Sequence, residues 1–102
     1  MRTITVDELK ARIDAGEQLN IVDVREPNEH AEFNIGGILL PLGNIKNMDV
    51  SVIEELKDQE VIFYCRSGNR SGQACMFAET LGFENAVNVT GGMLAWRDKF
   101  GG

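Results

Sequence analysis

The sequence predicts an α/β fold, with a mostly parallel central sheet of about four to five strands and helices on both faces. Three observations carry this expectation. Val61-Ile62-Phe63-Tyr64 is an apolar run without polar alternation, the pattern of a strand covered on both sides. Short apolar runs alternate along the chain with stretches whose apolar residues recur at helical spacing, as in strand–helix–strand units. The length of 102 residues gives room for one domain, 1–102, able to bury roughly 60–65% of its unfolded surface.

Each element has its own local signal. Thr3-Ile4 suits a short edge strand. Thr5 and Glu8 have the spacing of a capping box, Val6, Leu9 and Ile13 form the stripe of the helix behind it, and Gly16 stops that helix. Leu19 to Val24 reads as the second strand. Asp23 and Arg25 stand at its end, where such sheets bind ligands; they can serve the site or only fix the loop by pairing with each other and with Glu26, and the second is the expectation. Pro27 opens a helix that reaches Phe33, its expected core anchor. His30, the only histidine, lies among Asn28, Glu29 and Glu32 and is expected to be exposed, because a general base must reach hydrogen-bond distance of its nucleophile.

Ile38-Leu39-Leu40 makes the third strand, ended by Pro41. Residues 42–50 lack periodicity and read as a loop with one helical turn. Ser51 and Glu54 offer a second capping box, before a short amphipathic face of Val52, Ile53 and Leu56. Beyond the Val61–Tyr64 strand and a polar loop, Ala74, Cys75, Ala78 and Leu81 share one face of a helix that begins after Ser71 and stops at Gly82. Ala86 to Val89 is the last strand. Thr90-Gly91-Gly92 leads into a final helix whose Met93, Trp96 and Phe100 face the core, and Gly101-Gly102 is a frayed end.

The chemistry concentrates where the central strand ends, at Cys65-Arg66-Ser67-Gly68-Asn69-Arg70-Ser71. A cysteine in front of a helix N-terminus meets unsatisfied N–H groups and the positive end of the helix dipole, both of which favour a thiolate. Arg66 and Arg70 add positive charge. Gly68 allows a positive φ that turns several amides onto one centre. The loop therefore reads as a cradle for a nucleophilic sulfur, Cys65, and for an anionic substrate bound by Arg66, Ser67, Gly68, Asn69, Arg70 and Ser71. Arg66 can alternatively stand outward as an entrance charge, and Ser67 and Asn69 can serve only to shape the turn.

Bulk properties narrow the partners. A net charge of −6 argues against general affinity for nucleic acid or anionic membranes. No apolar run is long enough to span a bilayer and the N-terminal residues lack a signal-peptide core, so a soluble, cytoplasmic protein is expected. Nothing demands a second subunit, and a monomer is expected. Two cysteines make no disulfide framework, and no second Cys/His cluster suggests a metal. No cofactor is expected. Cys75, on the apolar face of its helix, reads as a small core residue.

Asp23-Val24-Arg25-Glu26, Cys65-Arg66-Ser67-Gly68-Asn69-Arg70-Ser71 and Gly91-Gly92-Met93-Leu94-Ala95-Trp96, in this order and at these separations, resemble the rhodanese homology domain. The resemblance covers nearly the whole chain. It implies a rhodanese-like fold and sulfur transfer from a sulfane donor such as thiosulfate to a thiophilic acceptor, which could be cyanide, a thiol or a protein. Cys65 would be the carrier, as a persulfide. The chain departs from the family pattern at Asn34, where histidine is usual, and at Gly36, where proline is usual, and the second change is expected to loosen the turn.

Other readings remain open from the residues alone. Cysteine phosphatases and arsenate reductases also begin an anion-binding loop with cysteine, but the phosphatase loop is one residue longer than the four that separate Cys65 from Arg70. A persulfide relay without turnover and a partner-binding module of the same fold are the remaining alternatives, and the retained Cys65 argues against the second.

Overall fold

The computed structural model describes residues 1–101, and Gly102, half of the expected frayed end, lies outside them. Five strands, β1 (Arg2–Ile4), β2 (Ile21–Asp23), β3 (Ile38–Leu39), β4 (Glu60–Tyr64) and β5 (Asn85–Val89), form one sheet in the order β1-β5-β4-β2-β3. Every pairing is parallel. Helices α1 (Val6–Asp14), α2 (Pro27–Glu32), α3 (Leu42–Lys46) and α4 (Asn69–Thr80), with a 3₁₀ segment at Ser51–Leu56, make the connections, and α5 (Gly92–Phe100) follows β5.

The central strand β4 divides the core in two, because successive side chains of a strand point to opposite faces. Val61 and Phe63, followed by Cys65, pack with Leu42, Ile45, Ile53, Ala74, Cys75 and Ala78. Ile62 and Tyr64 pack on the other side with Val6, Leu9, Met93 and Trp96. All of β4 from Val61 to Tyr64 is fully buried, as an apolar run of this kind requires. Helices therefore cover both faces of the sheet. All carboxyl ends of the strands lie along one edge, which is where Asp23 and Cys65 come together.

The first capping box forms: Glu8 N–H donates to Thr5 Oγ1 at 3.1 Å and Thr5 N–H to Glu8 Oε1 at 3.0 Å. The second does not. Ser51 is already the first residue of the 3₁₀ turn, with Val50 in the cap position, and its hydroxyl donates to Asp49 Oδ1 at 3.1 Å. Of the amphipathic face expected there, Ile53 is buried, Leu56 half-buried and Val52 61% exposed. In α5, Met93 and Trp96 face the core. Phe100 lies at the edge, 39% exposed, with its ring 5.0 Å from that of Trp96 in an edge-on arrangement. Phe33 follows α2 and is half-buried against the Tyr64 face of the core.

The turn between α2 and β3 is tied, contrary to the looseness expected from Gly36. Asn34 Nδ2 donates to the carbonyl of His30 and its Oδ1 accepts from Gly36 N–H, each at 2.8 Å. Gly36 takes φ +91°, which a proline cannot adopt. Asn34 is thus the clamp that replaces proline's stiffness. Tyr64 closes the turn from below, its hydroxyl donating to Gly36 O at 3.3 Å and accepting from Ile35 N–H at 3.4 Å.

The 3₁₀ segment offers a sharp test of this packing. Ile53→Ala should cost about 2–4 kcal/mol in urea denaturation, whereas Val52→Ala next to it should stay within about 0.5 kcal/mol of wild type.

Candidate functional site

The site is built at the carboxyl end of β4. Cys65 follows the strand directly and is 1% exposed. Its Sγ accepts the Gly68 N–H at 3.1 Å and lies 3.4 Å from Ser71 Oγ. Helix α4 begins at Asn69, three residues earlier than the apolar spacing suggests, so Arg70 and Ser71 lie in its first turn and not in the loop. Gly68 is its N-cap, at φ +98°. This left-handed residue, which only glycine adopts freely, aims its amide at the sulfur.

Burial pushes the Cys65 thiol up, but the Ser71 hydroxyl and the backbone amides of Ser71, Gly68 and Ser67 outweigh it and hold the thiol below its ordinary value. Cys75 has no such partners. Burial pushes it up to about 12, which marks it as the inert core cysteine.

Asn88, in β5, is a site residue that the sequence reading did not single out. Its Nδ2 donates to Gly68 O at 3.1 Å, which orients the amide so that Oδ1 faces the Ser71 hydroxyl in a short hydrogen bond. Ser71 has one proton to share between Asn88 and the sulfur. Asn88 thereby holds both the residue that caps α4 and the hydroxyl that touches Cys65. The available signal was a polar residue between the apolar Val87 and Val89 of a strand.

Helix α5 supports the loop from the other side. Met93 N–H donates to Cys65 O at 3.0 Å and Leu94 N–H to Arg66 O at 2.9 Å. Gly92 must be glycine for this approach, because a Cβ there would sit 2.5 Å from Cys65 O.

Arg66, in the loop, and Arg70, in the first turn of α4, differ. Arg66 is exposed and reaches an open pocket of about 100 Å³ that it shares with Arg25, Glu29, Glu32, Phe33, Met93, Leu94 and Arg97. Arg70 is forked onto the Glu29 carboxylate, at 2.7 and 2.9 Å. The guanidinium holds Glu29 well below the usual carboxylate range, at about 2. Ser67 and Asn69 are exposed, and the Asn69 side chain faces Gln73. The sulfur is met by the Ser67 and Gly68 backbone and by Ser71, not by the side chains of Ser67 or Asn69.

Asp23 and Arg25 pair locally as expected, and more tightly. Asp23 accepts Arg25 Nε at 2.9 Å, its terminal nitrogen at 2.8 Å and its backbone N–H at 3.0 Å, and Arg25 also donates to Phe33 O. Arg25 did not pair with Glu26, which instead caps α2. His30 is not the exposed residue expected: its Nδ1 lies 2.8 Å from Asp23 Oδ2 and its ring is half-buried. The Asp23 carboxylate projects toward α2 and draws the ring in. Among the described residues no side-chain hydrogen bond joins Asp23 or His30 to Cys65, Gly68 or Ser71.

The comparisons with known proteins agree with the fold. The family model described as the rhodanese-like domain matches residues 5–99. A protein of Allochromatium vinosum named sulfurtransferase is 37% identical over 94 residues, covering 91% of this chain and 85% of its own. The human thiosulfate:glutathione sulfurtransferase is 28% identical, covering 95% and 94%. The crystal structure of a rhodanese-like domain protein from Staphylococcus aureus superposes with a TM-score of 0.82 at 34% identity, covering 94% of this chain and 91% of that one. In some longer relatives the match spans only 24% or 51% of their length.

Ser71→Ala removes the one side-chain donor to the sulfur, so the Cys65 pKa should rise. Alkylation by iodoacetamide, followed against pH, should show a midpoint below that of an ordinary thiol in wild type and a higher one in the variant. Cys75 should stay unmodified in both.

Proposed function

The chain belongs to the rhodanese-like family, and on that premise we propose that it is a sulfurtransferase that moves a sulfane sulfur from a small anionic donor such as thiosulfate to a thiophilic acceptor, through a persulfide on Cys65. The observation that carries this reading is the buried Sγ held by the Gly68 amide and the Ser71 hydroxyl. Those donors favour the thiolate, which is the attacking species. A sulfur whose hydrogen-bond donors favour the thiolate has less need of a general base, which fits a His30 ring paired with Asp23 and not with the sulfur.

Transfer has two steps. The Cys65 thiolate attacks the outer sulfur of thiosulfate, the sulfur–sulfur bond breaks, and sulfite leaves with the electron pair. An acceptor thiolate then attacks the outer sulfur of the persulfide and returns Cys65 to the thiolate. The loop amides serve the thiolate and the persulfide anion alike. Arg66, exposed at the rim, supplies charge for the incoming donor. Arg70 contributes its field rather than its fork, since Glu29 occupies that fork.

The same fork argues against phosphoryl chemistry. A phosphatase arginine has to crown the bound anion, and Arg70 faces Glu29 from within the helix. Only Arg66, Ser67 and Gly68 separate Cys65 from α4, and Gly68 N–H is already turned onto sulfur.

Intact mass after incubation with excess thiosulfate tests the proposal. Wild type should gain one sulfur atom, reversed by cyanide or a thiol, and Cys65→Ser should gain none while keeping its fold. Uptake by the variant, or none by wild type, would overturn it.

A further inference from the structure

The pocket beside Arg66 carries charge that the fold does not use. Seven of the ten lysines and arginines have a carboxylate partner. The three that lack one among the described residues are Lys46, Arg66 and Arg97, and two of these line the same pocket. In a chain of net charge −6, two guanidinium groups without a carboxylate partner thus line one pocket.

The other lining groups sharpen the picture. Arg25 and Glu29 are neutralised by Asp23 and Arg70. Glu32 has no cationic partner among the described residues, so the pocket is left with a surplus of one positive charge. Phe33, Met93 and Leu94 supply apolar wall, and Arg97 lies over the Phe33 ring with Cζ 4.9 Å from its centroid, which holds the guanidinium at the pocket. The pocket joins the reactive loop through Arg66, and through Leu94, whose amide caps the Arg66 carbonyl.

Resting on the sulfur-transfer reading above, the geometry points to this pocket as the acceptor site, with Arg97 and Arg66 binding the carboxylate of a small carbon-bearing thiol. One surplus charge matches one carboxylate. The apolar wall matches a carbon skeleton, which thiosulfate does not have. The bound thiolate attacks the outer persulfide sulfur; the bond from that sulfur to Cys65 Sγ breaks, and its electron pair stays on Cys65. The products are the acceptor persulfide and the free enzyme thiolate, with no outside oxidant or reductant.

The test uses protein loaded with thiosulfate, freed of excess donor and then discharged with 3-mercaptopropionate or with its uncharged counterpart 2-mercaptoethanol. The readout is the ratio of the two discharge rates, compared between wild type and variants so that the intrinsic reactivity of each thiol cancels. At low salt, Arg97→Gln should lower the preference for the carboxylate thiol by about fivefold. Glu32→Gln should raise it, and added salt should shrink both effects. Arg97→Lys should keep part of the preference. An unchanged ratio in Arg97→Gln, shifts of the same sign in both variants, or an equal slowing of loading by thiosulfate would overturn the assignment. If wild type never loads, the sulfur-transfer reading itself fails, which is a different result from loading followed by unselective discharge.

Discussion

A sulfur that is 1% exposed has to receive its hydrogen bonds from the protein, and most of the local architecture follows from that need. Water cannot solvate the Cys65 thiolate, so burial alone would keep the proton on. Gly68 must turn its amide inward, which demands a left-handed residue. That turn sets where α4 begins, and the beginning of α4 sets where Ser71 stands. Asn88 fastens both from the neighbouring strand. On the far side, α5 packs its first amides on the carbonyls of Cys65 and Arg66, and Gly92 lets it come close enough. The Cys65 loop is thus held by two helices and two strands of a sheet whose carboxyl ends all lie on one edge.

The charges around the site divide the labour. Asp23, Arg25 and His30 join β2 to α2, and Glu29 with Arg70 joins α2 to α4. These contacts make the short helix α2, which has no buried residue of its own, part of the wall of the site. They also consume charges that the sequence offers as ligands for an anion. The Arg70–Glu29 link depends on an ionised carboxylate. Since Glu29 is held near 2 against an ordinary value of 4.5, its contribution is complete above the ordinary value and is lost as the pH falls toward 2.

Much of the fold was legible because its signals are local. An unbroken apolar strand, a capping box at Thr5 and glycines at helix ends each declare themselves within a few residues. The cradle was legible for the same reason: Cys65, Gly68 and Ser71 lie within one loop and one helical turn. What was missed depends on distance in the chain. Arg70 and Glu29 are far apart in sequence, and only the packing of α2 against α4 reveals that one fork is filled by the other residue. His30 looks solvent-exposed among its neighbours, and only the direction of Asp23 at the end of β2 draws it inward. Ser51 has the right spacing for a cap but sits one position too late, because the 3₁₀ turn starts at Ser51 itself. Arg97 follows Trp96 on a helix and reads as ordinary surface charge until the pocket places it across from Arg66.

The sheet order has a further consequence, in how the chain can reach this state. Strand β1 is made of Arg2–Ile4, yet its only neighbour among the described residues is β5, with Arg2 paired to Val87. During synthesis β1 has no strand to dock on until β5 has left the ribosome. Pairing across so long a separation closes a large loop and is slow. Until then, the apolar side chains of β1 and α1 that should cover β5 and α5 are without their partners. Helix α5, whose amides close over the Cys65 loop, follows β5 in the chain, so the candidate site and the β1 edge of the sheet are completed together.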